Sequence, residues 1–209
     1  MMAQLLLNQR HPDWNISHLE IGASCLAWCF NQAWCMALNL RAIGEITHFL
    51  LIHSDVRPRD ATWFDTLLGE MVEHRADVMS AIIPIKNEEG LTSTALDTDP
   101  WQPMRLTQKQ IHKYPRTWSA PELLFNTGLL LIDMSGDWVE KAFFTINDKI
   151  ERDEKTGLWK AYVQPEDWNF SRQCRALGVR AFVTRAVTVD HYGTSHWPSD
   201  RIWGKDADA

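Results

Sequence analysis

One short stretch, Ile46–Pro58 (ITHFLLIHSDVRP), constrains the fold more than any other part of the chain. It begins with a mostly apolar, β-branched run and then passes into His53-Ser54-Asp55. A run this short and this apolar is typical of a strand that is buried on both faces, as in a mostly parallel sheet. Ligands of open α/β sheets bind just outside the carboxyl ends of the strands, so we expect a site at His53 and Asp55.

The spacing of His53 and Asp55 supports a ligand that both residues share. Residues two apart on an extended chain point to the same side, so the two side chains could face one ion or one phosphate. A carboxylate suits Mg²⁺ or Mn²⁺, and an imidazole is tolerated better by Mn²⁺. The alternative interpretation is a polar strand end in which Asp55 caps the next turn.

Predicted strands and helices alternate along the rest of the chain. Helical periodicity predicts helices that begin near Ser24 and Asp60, and a further helix over Trp138–Ile150 before a charged connector. Buried strands are predicted within Asp77–Ile85 and Leu123–Ile132. This alternation indicates an α/β protein with a mostly parallel central sheet flanked by helices.

Composition limits the classes of partner. The chain has 209 residues, of which 45% are hydrophobic, and a formal net charge of -6. These values predict one globular domain (residues 1–209) and argue against broad, non-specific nucleic-acid binding. No apolar run is long enough to span a membrane, and the N-terminal residues lack the pattern of a secretory signal. The four cysteines form no C-x-x-C pair and are interpreted as buried thiols, so we expect a cytoplasmic protein.

Two interruptions of the apolar pattern offer groups that could bind a ligand. Residues 86–118, which begin with Lys86, lose their periodicity and are expected to form a long substrate-recognition loop; the alternative is a solvated surface excursion. Asn126-Thr127-Gly128 interrupts an apolar stretch. The glycine predicts a bulge or a close backbone approach, and the two polar side chains could bind a ligand hydroxyl. The alternative is a bulge with a purely structural role.

Two carboxylates and further histidines follow late in the chain. Glu166 and Asp167 begin a predicted helix, where the helix dipole favours acidic side chains; alternatively, one of them acts as a general base. His191 follows another apolar segment, as His53 does. Residues 194–209, which include His196, are expected to form either a lid or a frayed end.

Taken in order, four segments resemble a GT-A-type nucleotide-sugar glycosyltransferase that is family-two-like, with HSD as a variant of the DXD motif. They are ITHFLLIHSDV as the metal strand, FNTGLLLID as the acceptor-side strand, PEDWNFSRQCRALGV as the ED-motif helix and VTVDHYG as the terminal His strand. The order of the motifs and their placement at strand ends carry the resemblance, which covers roughly Ser24–Gly193.

The resemblance implies a fold, an activity and roles for particular residues. The fold would be GT-A-like and Rossmann-related, abbreviated at the N-terminus because only about forty-five residues precede the metal strand. The activity would move a sugar from a nucleotide-diphosphate sugar, with a UDP-sugar as the expected donor, to an acceptor hydroxyl with inversion. Asp55 and His191 would hold Mn²⁺ or Mg²⁺ on the diphosphate, with His53 as a further candidate ligand. Asp167, or less readily Glu166, would take the proton from the acceptor.

The sequence also suggests residues that contact the substrates, and it is compatible with several acceptors and alternative functions. The residues expected to contact the donor or the acceptor are Lys86, Asn126, Thr127, Gly128, Trp168 and His196. The acceptor could be a glycan, a protein or a modified nucleic-acid base. A nucleotidyltransferase, a metal-dependent phosphohydrolase and a non-catalytic sugar-nucleotide-binding module are the alternative functions, because an acidic strand end can serve a phosphate in each of them.

Overall fold

A computed structural model describes residues 14–22, 24–193, 196–200 and 202. The helices in this part of the chain are α1 (Leu26–Ala42), α2 (Trp63–Glu73), α3 (Gln108–Ile111), α4 (Glu166–Ala176) and a 3₁₀ helix at Asp137–Glu140. A bilayer needs a longer apolar helix than any that the described residues form.

Thirteen short strands occur within the same described residues. They are β1 (His48–Ile52), β2 (Val56–Pro58), β3 (Val78–Ala81), β4 (Leu91–Leu96), β5 (Met104–Thr107), β6 (Thr117–Trp118), β7 (Leu123–Leu124), β8 (Leu129–Asp133), β9 (Asn147–Arg152), β10 (Trp159–Gln164), β11 (Ala181–Thr184), β12 (Val189–Tyr192) and β13 (His196–Pro198). They form a central sheet in the order β1-β8-β3-β11-β6, two three-stranded sheets (β13-β12-β2 and β5-β4-β7) and the ribbon β10-β9.

The central sheet is mixed, so the predicted mostly parallel sheet flanked by helices is wrong. Within this sheet only β3 and β11 pair in parallel, because β8 lies antiparallel between β1 and β3, and β6 lies antiparallel beside β11. The pairings described for the three smaller sheets are all antiparallel. A strand that is covered on both faces is apolar whatever the direction of its neighbours, so the LLLID run of β8 carried no signal for its direction.

Strand β8 lies at the centre of the hydrophobic core. Successive side chains of a strand point to opposite faces. Leu130 and Ile132 accordingly pack in the cluster that contains Trp34 of α1, while Leu129 and Leu131 pack in the cluster that contains the buried face of α2. All four β8 side chains are completely buried. Full burial of each such side chain stabilises the fold by roughly 1.5–3 kcal/mol. Strand β8 therefore contributes strongly to the stability of the protein.

The segment 86–118, predicted as a long loop, is folded. It contains β4, β5, α3 and β6. The sequence of β4, LTSTAL, contains four polar residues or small side chains and therefore did not predict a buried strand. Thr92 and Thr94 are nevertheless both completely buried. The hydroxyl of Thr92 donates a hydrogen bond of 2.8 Å to the carbonyl of Leu106, which offsets the cost of burying it. A role of this segment in substrate recognition stays a prediction.

The predicted helix over Trp138–Ile150 is also wrong. The 3₁₀ helix ends at Glu140, and β9 begins at Asn147. Between them, the side chain of Asn31 on α1 pairs with both backbone groups of Phe144: Oδ1 accepts from its N–H at 2.8 Å, and Nδ2 donates to its carbonyl at 2.7 Å. Because these backbone groups bond to α1, they are not available to a continuing helix.

Gly128, immediately before β8, leaves no room for a side chain. A Cβ atom at this position would lie 2.5 Å from Cδ1 of Ile83 and 3.5 Å from Cγ2 of Val56. We expect Gly128→Ala to lower the free energy of unfolding by about 1–3 kcal/mol, as overpacking of a core usually does.

Gly69→Ala is the matched control, because Gly69 lies in α2 with open space around it. This control should raise the free energy of unfolding by up to about 1 kcal/mol. Urea denaturation followed by tryptophan fluorescence measures both, and an equal loss in the two variants would contradict the expectation.

Candidate functional site

The candidate site lies at one edge of the central sheet, where β1 and β3 end and β8 begins. Strands β1 and β3 run in the same direction because each is antiparallel to β8. The N–H of His53, just after β1, donates to the carbonyl of Gly128 at 2.9 Å. Since β8 is antiparallel, the residues that precede it reach the edge at which its neighbours end. The mixed sheet therefore still brings Asn126-Thr127-Gly128 next to His53.

A cleft of ≈ 260 Å³ opens at this edge. Eight of the predicted site residues line it: His53, Lys86, Asn126, Thr127, Gly128, Glu166, Asp167 and His191. Asp55 is not among the lining residues and lies beside the cleft, in contact with Lys86. A second cavity of ≈ 320 Å³ is lined by Met104, Leu106, Gln110, Lys113 and Tyr114. This second lining contains neither a carboxyl group nor an imidazole, so the first cleft is the better candidate for chemistry.

The pairing of β2 with β12 brings Asp55 and His191 together. His191 lies opposite Val56 in the ladder, and the N–H of Tyr192 donates to the carbonyl of Asp55 at 2.8 Å. Nε2 of His191 consequently lies 3.5 Å from Oδ2 of Asp55. Nδ1 of the same ring bonds to the carbonyl of Pro84 at 2.6 Å. Because a carbonyl only accepts hydrogen bonds, Nδ1 carries a proton. Nε2 donates to Oδ2 of Asp55 while it also carries a proton, and it offers a lone pair to another ligand only when that proton has left.

Lys86 supplies a positive charge to this pair. Its Nζ lies 2.5 Å from Oδ2 of Asp55. Gly193 makes room for the lysine, since a Cβ atom at that position would lie 2.9 Å from Cδ of Lys86. The hydrogen bond with His191 and, after it, the hydrogen bond with Lys86 hold the pKa of Asp55 well below its usual range, against the effect of partial burial. Asp55 is therefore a carboxylate throughout the physiological pH range.

His53 lines the cleft through a different set of contacts. The chain turns at this point, because the N–H of Val56 donates to the carbonyl of His53 at 3.1 Å. The expectation that His53 and Asp55 share a side of an extended chain is therefore wrong. The His53 ring lies 5.2 Å from the ring of Phe30, and its Nε2 lies 3.4 Å from Oγ1 of Thr127. Burial lowers the pKa of His53 to about 4, so the ring is neutral at pH 7.

Glu166 and Asp167 form the first turn of α4, which is docked against the segment before β8. The hydroxyl oxygen of Ser171 accepts from the N–H of Phe125 at 3.0 Å, and Oγ1 of Thr127 lies 3.4 Å from Oε1 of Glu166. Burial raises the pKa of both carboxyl groups. The pKa of Asp167 rises to about 7, with the charge of Glu166 as the second cause. A carboxylate of this basicity can accept a proton near neutral pH.

Two predicted binding residues are engaged elsewhere. The amide of Asn126 is used internally, since Nδ2 donates to the carbonyl of Ala81 at 2.7 Å and Oδ1 accepts from the N–H of Gly128 at 3.0 Å. Asn126 therefore holds the segment that precedes β8, and it also lies in the lining of the cleft. A role of Asn126 in ligand binding stays a prediction. Trp168 is buried beneath the guanidinium of Arg105, which lies 4.8 Å from the ring centroid. Trp168 is absent from the lining of the cleft.

Parts of the prediction lie outside the described residues. They are the side chain of His196, residues 194, 195, 201 and 203–209 of the expected lid, and residues 1–13 of the expected abbreviated N-terminus.

The two predicted metal ligands that lie together are Asp55, beside the cleft, and His191, in its lining. No group of three or more His, Cys, Asp or Glu side chains in the described part of the chain could hold a metal. The 3.5 Å between Asp55 and His191 is close to the separation of roughly 3 Å between adjacent ligands of octahedral Mg²⁺. Mg²⁺ commonly takes its remaining ligands from substrate phosphates and water. The pair therefore suits a cation that arrives with a phosphate group.

Two contributors to this site were missed at the level of the sequence. The carbonyl of Pro84 orients His191, and a backbone atom carries no sequence signal. Gly193 accommodates Lys86, and here a signal existed, because a glycine next to a candidate ligand indicates a close approach.

Comparison with known proteins leaves the function to be inferred from the cleft. No protein-family model and no curated protein matches the sequence. The crystal structure of A197 from STIV is similar, with a TM-score of 0.51 and 16% sequence identity. The similarity covers 88% of this chain and 78% of that chain. At this level of identity the two proteins share a fold, and nothing about substrate or reaction follows from the comparison.

Proposed function

We propose that this protein is a metal-dependent glycosyltransferase that moves a sugar from a nucleotide-diphosphate sugar to an acceptor hydroxyl with inversion. One observation supports the proposal above all: Asp55 and His191 come from distant parts of the chain and lie 3.5 Å apart, beside a cleft that also contains two buried carboxyl groups. The first pair suits a phosphate-bound cation, and the second suits proton transfer. An inverting glycosyl transfer from a nucleotide diphosphate can use both.

The diphosphate leaving group gains negative charge as the sugar–phosphate bond breaks. Asp55 and His191 would hold Mg²⁺ or Mn²⁺, which supplies Lewis-acid neutralisation of that charge when it is bound. Lys86 would exchange its contact with Asp55 for a phosphate oxygen, because its ammonium group offers three donors on a flexible stem. The carbonyl of Pro84 would keep Nε2 of His191 directed at the ligand, as hydrogen-bond partners of metal-bound histidines do.

The acceptor hydroxyl must lose a proton as it attacks the sugar. Asp167 is the better base of the two carboxyl groups, since its pKa of about 7 leaves a substantial carboxylate fraction at neutral pH. General-base catalysis of this kind typically accelerates a reaction about 10²–10⁴-fold. Glu166 lies beside Thr127 and would bind a sugar or acceptor hydroxyl rather than move the proton.

A nucleotidyltransferase or a metal-dependent phosphohydrolase is the second candidate, and the size of the cleft favours the phosphohydrolase of these two. The volume of ≈ 260 Å³ is slightly smaller than the range of about 300–1,000 Å³ that is usual for ligands of drug size. Such a cleft holds a phosphate group and its immediate neighbours more easily than a whole nucleotide sugar. The cation pair and Lys86 would serve both reactions.

A ligand screen separates these functions. The melting temperature would be measured with nucleoside diphosphates, their sugars, nucleoside triphosphates and pyrophosphate, each with and without Mn²⁺. A ligand that binds only the folded state at 100 times its Kd stabilises it by about 2.7 kcal/mol. We expect the largest shift from one nucleotide sugar with Mn²⁺, together with slow release of its nucleoside diphosphate. A response to triphosphates or pyrophosphate alone would favour the second candidate. Binding of a nucleotide sugar without turnover by any acceptor would favour a non-catalytic module.

A further inference from the structure

Among the described residues, the contacts that anchor the ribbon formed by β9 and β10 to the rest of the protein lie on one of its faces. Nζ of Lys149 lies 4.7 Å from the ring centroid of Trp101 and 4.9 Å from that of Tyr162. Nε2 of Gln164 donates to the carbonyl of Pro100 at 2.7 Å. Lys149, Tyr162 and Gln164 share this face, because cross-strand partners and residues two apart point to the same side of a ribbon.

The opposite face of the ribbon is exposed and is not covered by the described part of the chain; we refer to it as the outer face. It consists of three cross-strand pairs: Asp148 with Val163, Ile150 with Ala161, and Arg152 with Trp159. All six residues are exposed, and the exposed fractions of Ile150, Trp159 and Val163 are 74%, 70% and 51%. An isolated two-stranded ribbon is marginally stable in water, and exposed apolar side chains that lie together on it form a candidate interaction surface.

The charges of the outer face differ from those around it. Lys149 pairs with Glu151 at 2.7 Å, and Lys160 pairs with Asp153, so these charges of the ribbon are neutralised within the molecule. Asp148 and Arg152 have no ion-pair partner among the described residues. On β9, Asp148 lies two residues before Ile150 and Arg152 lies two residues after it, so the two opposite charges flank Ile150 on the outer face.

We propose that the outer face binds the outer face of a second copy of this chain. A twofold axis that crosses the strands at the Ile150–Ala161 pair would stack the two ribbons antiparallel. Each Ile150 then meets its own counterpart, and each Asp148 meets Arg152 of the partner subunit. On β10, Val163 faces Trp159 of the partner subunit. The small side chain of Ala161 lies between Val163 and Trp159 on the same strand, at the axis. A surface that is complementary to itself in this way is what a twofold contact requires.

The contact is small, which determines how the dimer behaves. Three cross-strand pairs per subunit cover less than the roughly 800 Å² per partner of a standard stable interface. The dimer is therefore concentration-dependent. It also weakens as salt rises, because its two ion pairs lie at the rim of an exposed surface. This inference is independent of the proposed function, since the ribbon contributes no residue to the lining of the cleft.

Charge reversal tests the pairing. Sedimentation velocity of the wild type at low salt, over a hundredfold range of concentration, should show a shift from monomer to dimer. Asp148→Arg and Arg152→Asp should each remain monomeric, because each places two like pairs across the axis. An equimolar mixture of the two variants should sediment as a dimer, and so should the double variant Asp148→Arg/Arg152→Asp, since both restore opposite charges.

Control variants separate the outer face from general charge effects. Glu154→Arg, at an exposed position in the turn between the strands, should dimerise like the wild type. Ile150→Arg should be monomeric, because two like charges would meet at the axis. Circular dichroism should show the same fold for every variant. A wild type that stays monomeric at all concentrations, or reversal variants that are not rescued by mixing, would overturn the proposal.

Discussion

Asp55→Asn is expected to abolish Mn²⁺-dependent binding of the donor and to reduce transfer by about 10²–10³-fold or more. The substitution keeps the shape of the side chain but removes the negative charge that faces Nε2 of His191 and Nζ of Lys86. The loss of one preorganised group that stabilises developing charge typically costs about this factor. Product formation and nucleotide titrations with and without Mn²⁺ measure the two effects. Unchanged turnover would remove Asp55 from the cation site.

Lys86→Met provides the matched comparison, because its effects should have opposite signs for metal and for nucleotide. Without the ammonium group on Oδ2 of Asp55, Mn²⁺ alone should bind more tightly than it does to the wild type. The nucleotide diphosphate should bind more weakly, because Lys86 is the expected phosphate ligand. Electron paramagnetic resonance of free Mn²⁺ and calorimetry of the nucleotide give the two affinities. A loss of both affinities would indicate that Lys86 only maintains the structure of the site.

Asp167→Asn is expected to retain donor binding while it lowers kcat by about 10²–10⁴-fold, the usual contribution of a general base. Glu166→Gln is the matched control and should reduce kcat less. In the wild type, kcat/KM should rise with pH and level off above about 7, because burial raises the pKa of Asp167 to that value. The Asn variant should lose this limb of the profile. If Asp167→Asn instead loses donor binding together with transfer, the residue is structural.

The same pKa predicts how the stability of the protein depends on pH. In the folded state the pKa of Asp167 is about 7, against the ordinary value of 3.8 that applies to the unfolded chain. Between these two values the folded state binds the proton and the unfolded state has released it. The stability that the protonated group contributes is therefore fully present below pH 3.8 and is lost as pH rises towards 7. Asp167→Asn should consequently be more stable than the wild type at pH 8, as measured by urea denaturation at pH 5 and pH 8.

Local sequence patterns selected the residues of the candidate site. A short apolar run that stops at a polar residue marks a strand end, and this rule selected His53, Asp55 and His191. Acidic residues before a helical pattern selected Glu166 and Asp167 in the same way. His53 does follow the end of β1, but His191 lies within β12, and the pairing of β12 with β2 brings it beside Asp55. These residues therefore lie together despite the error in the predicted sheet topology.

Contacts between residues that are distant in sequence determined the direction of β8 and the secondary structure of residues 138–164. The pairing of β8 between β1 and β3, and the pairing of Asn31 with Phe144, involve partners that no local pattern specifies. The same holds for the engagement of the Asn126 amide with Ala81 and for the burial of Trp168 under Arg105.

The sequence by itself determined that the apolar strands β1, β3 and β8 are buried or partly buried and that polar residues follow β1, because the hydrophobic pattern of neighbouring residues indicates burial. Only the tertiary structure decided which strand lies beside which, that Lys86 rather than His53 contacts Asp55, and which face of the ribbon is left uncovered. These features depend on backbone pairing and on the space left by Gly128 and Gly193, and both arise only when distant parts of the chain pack together.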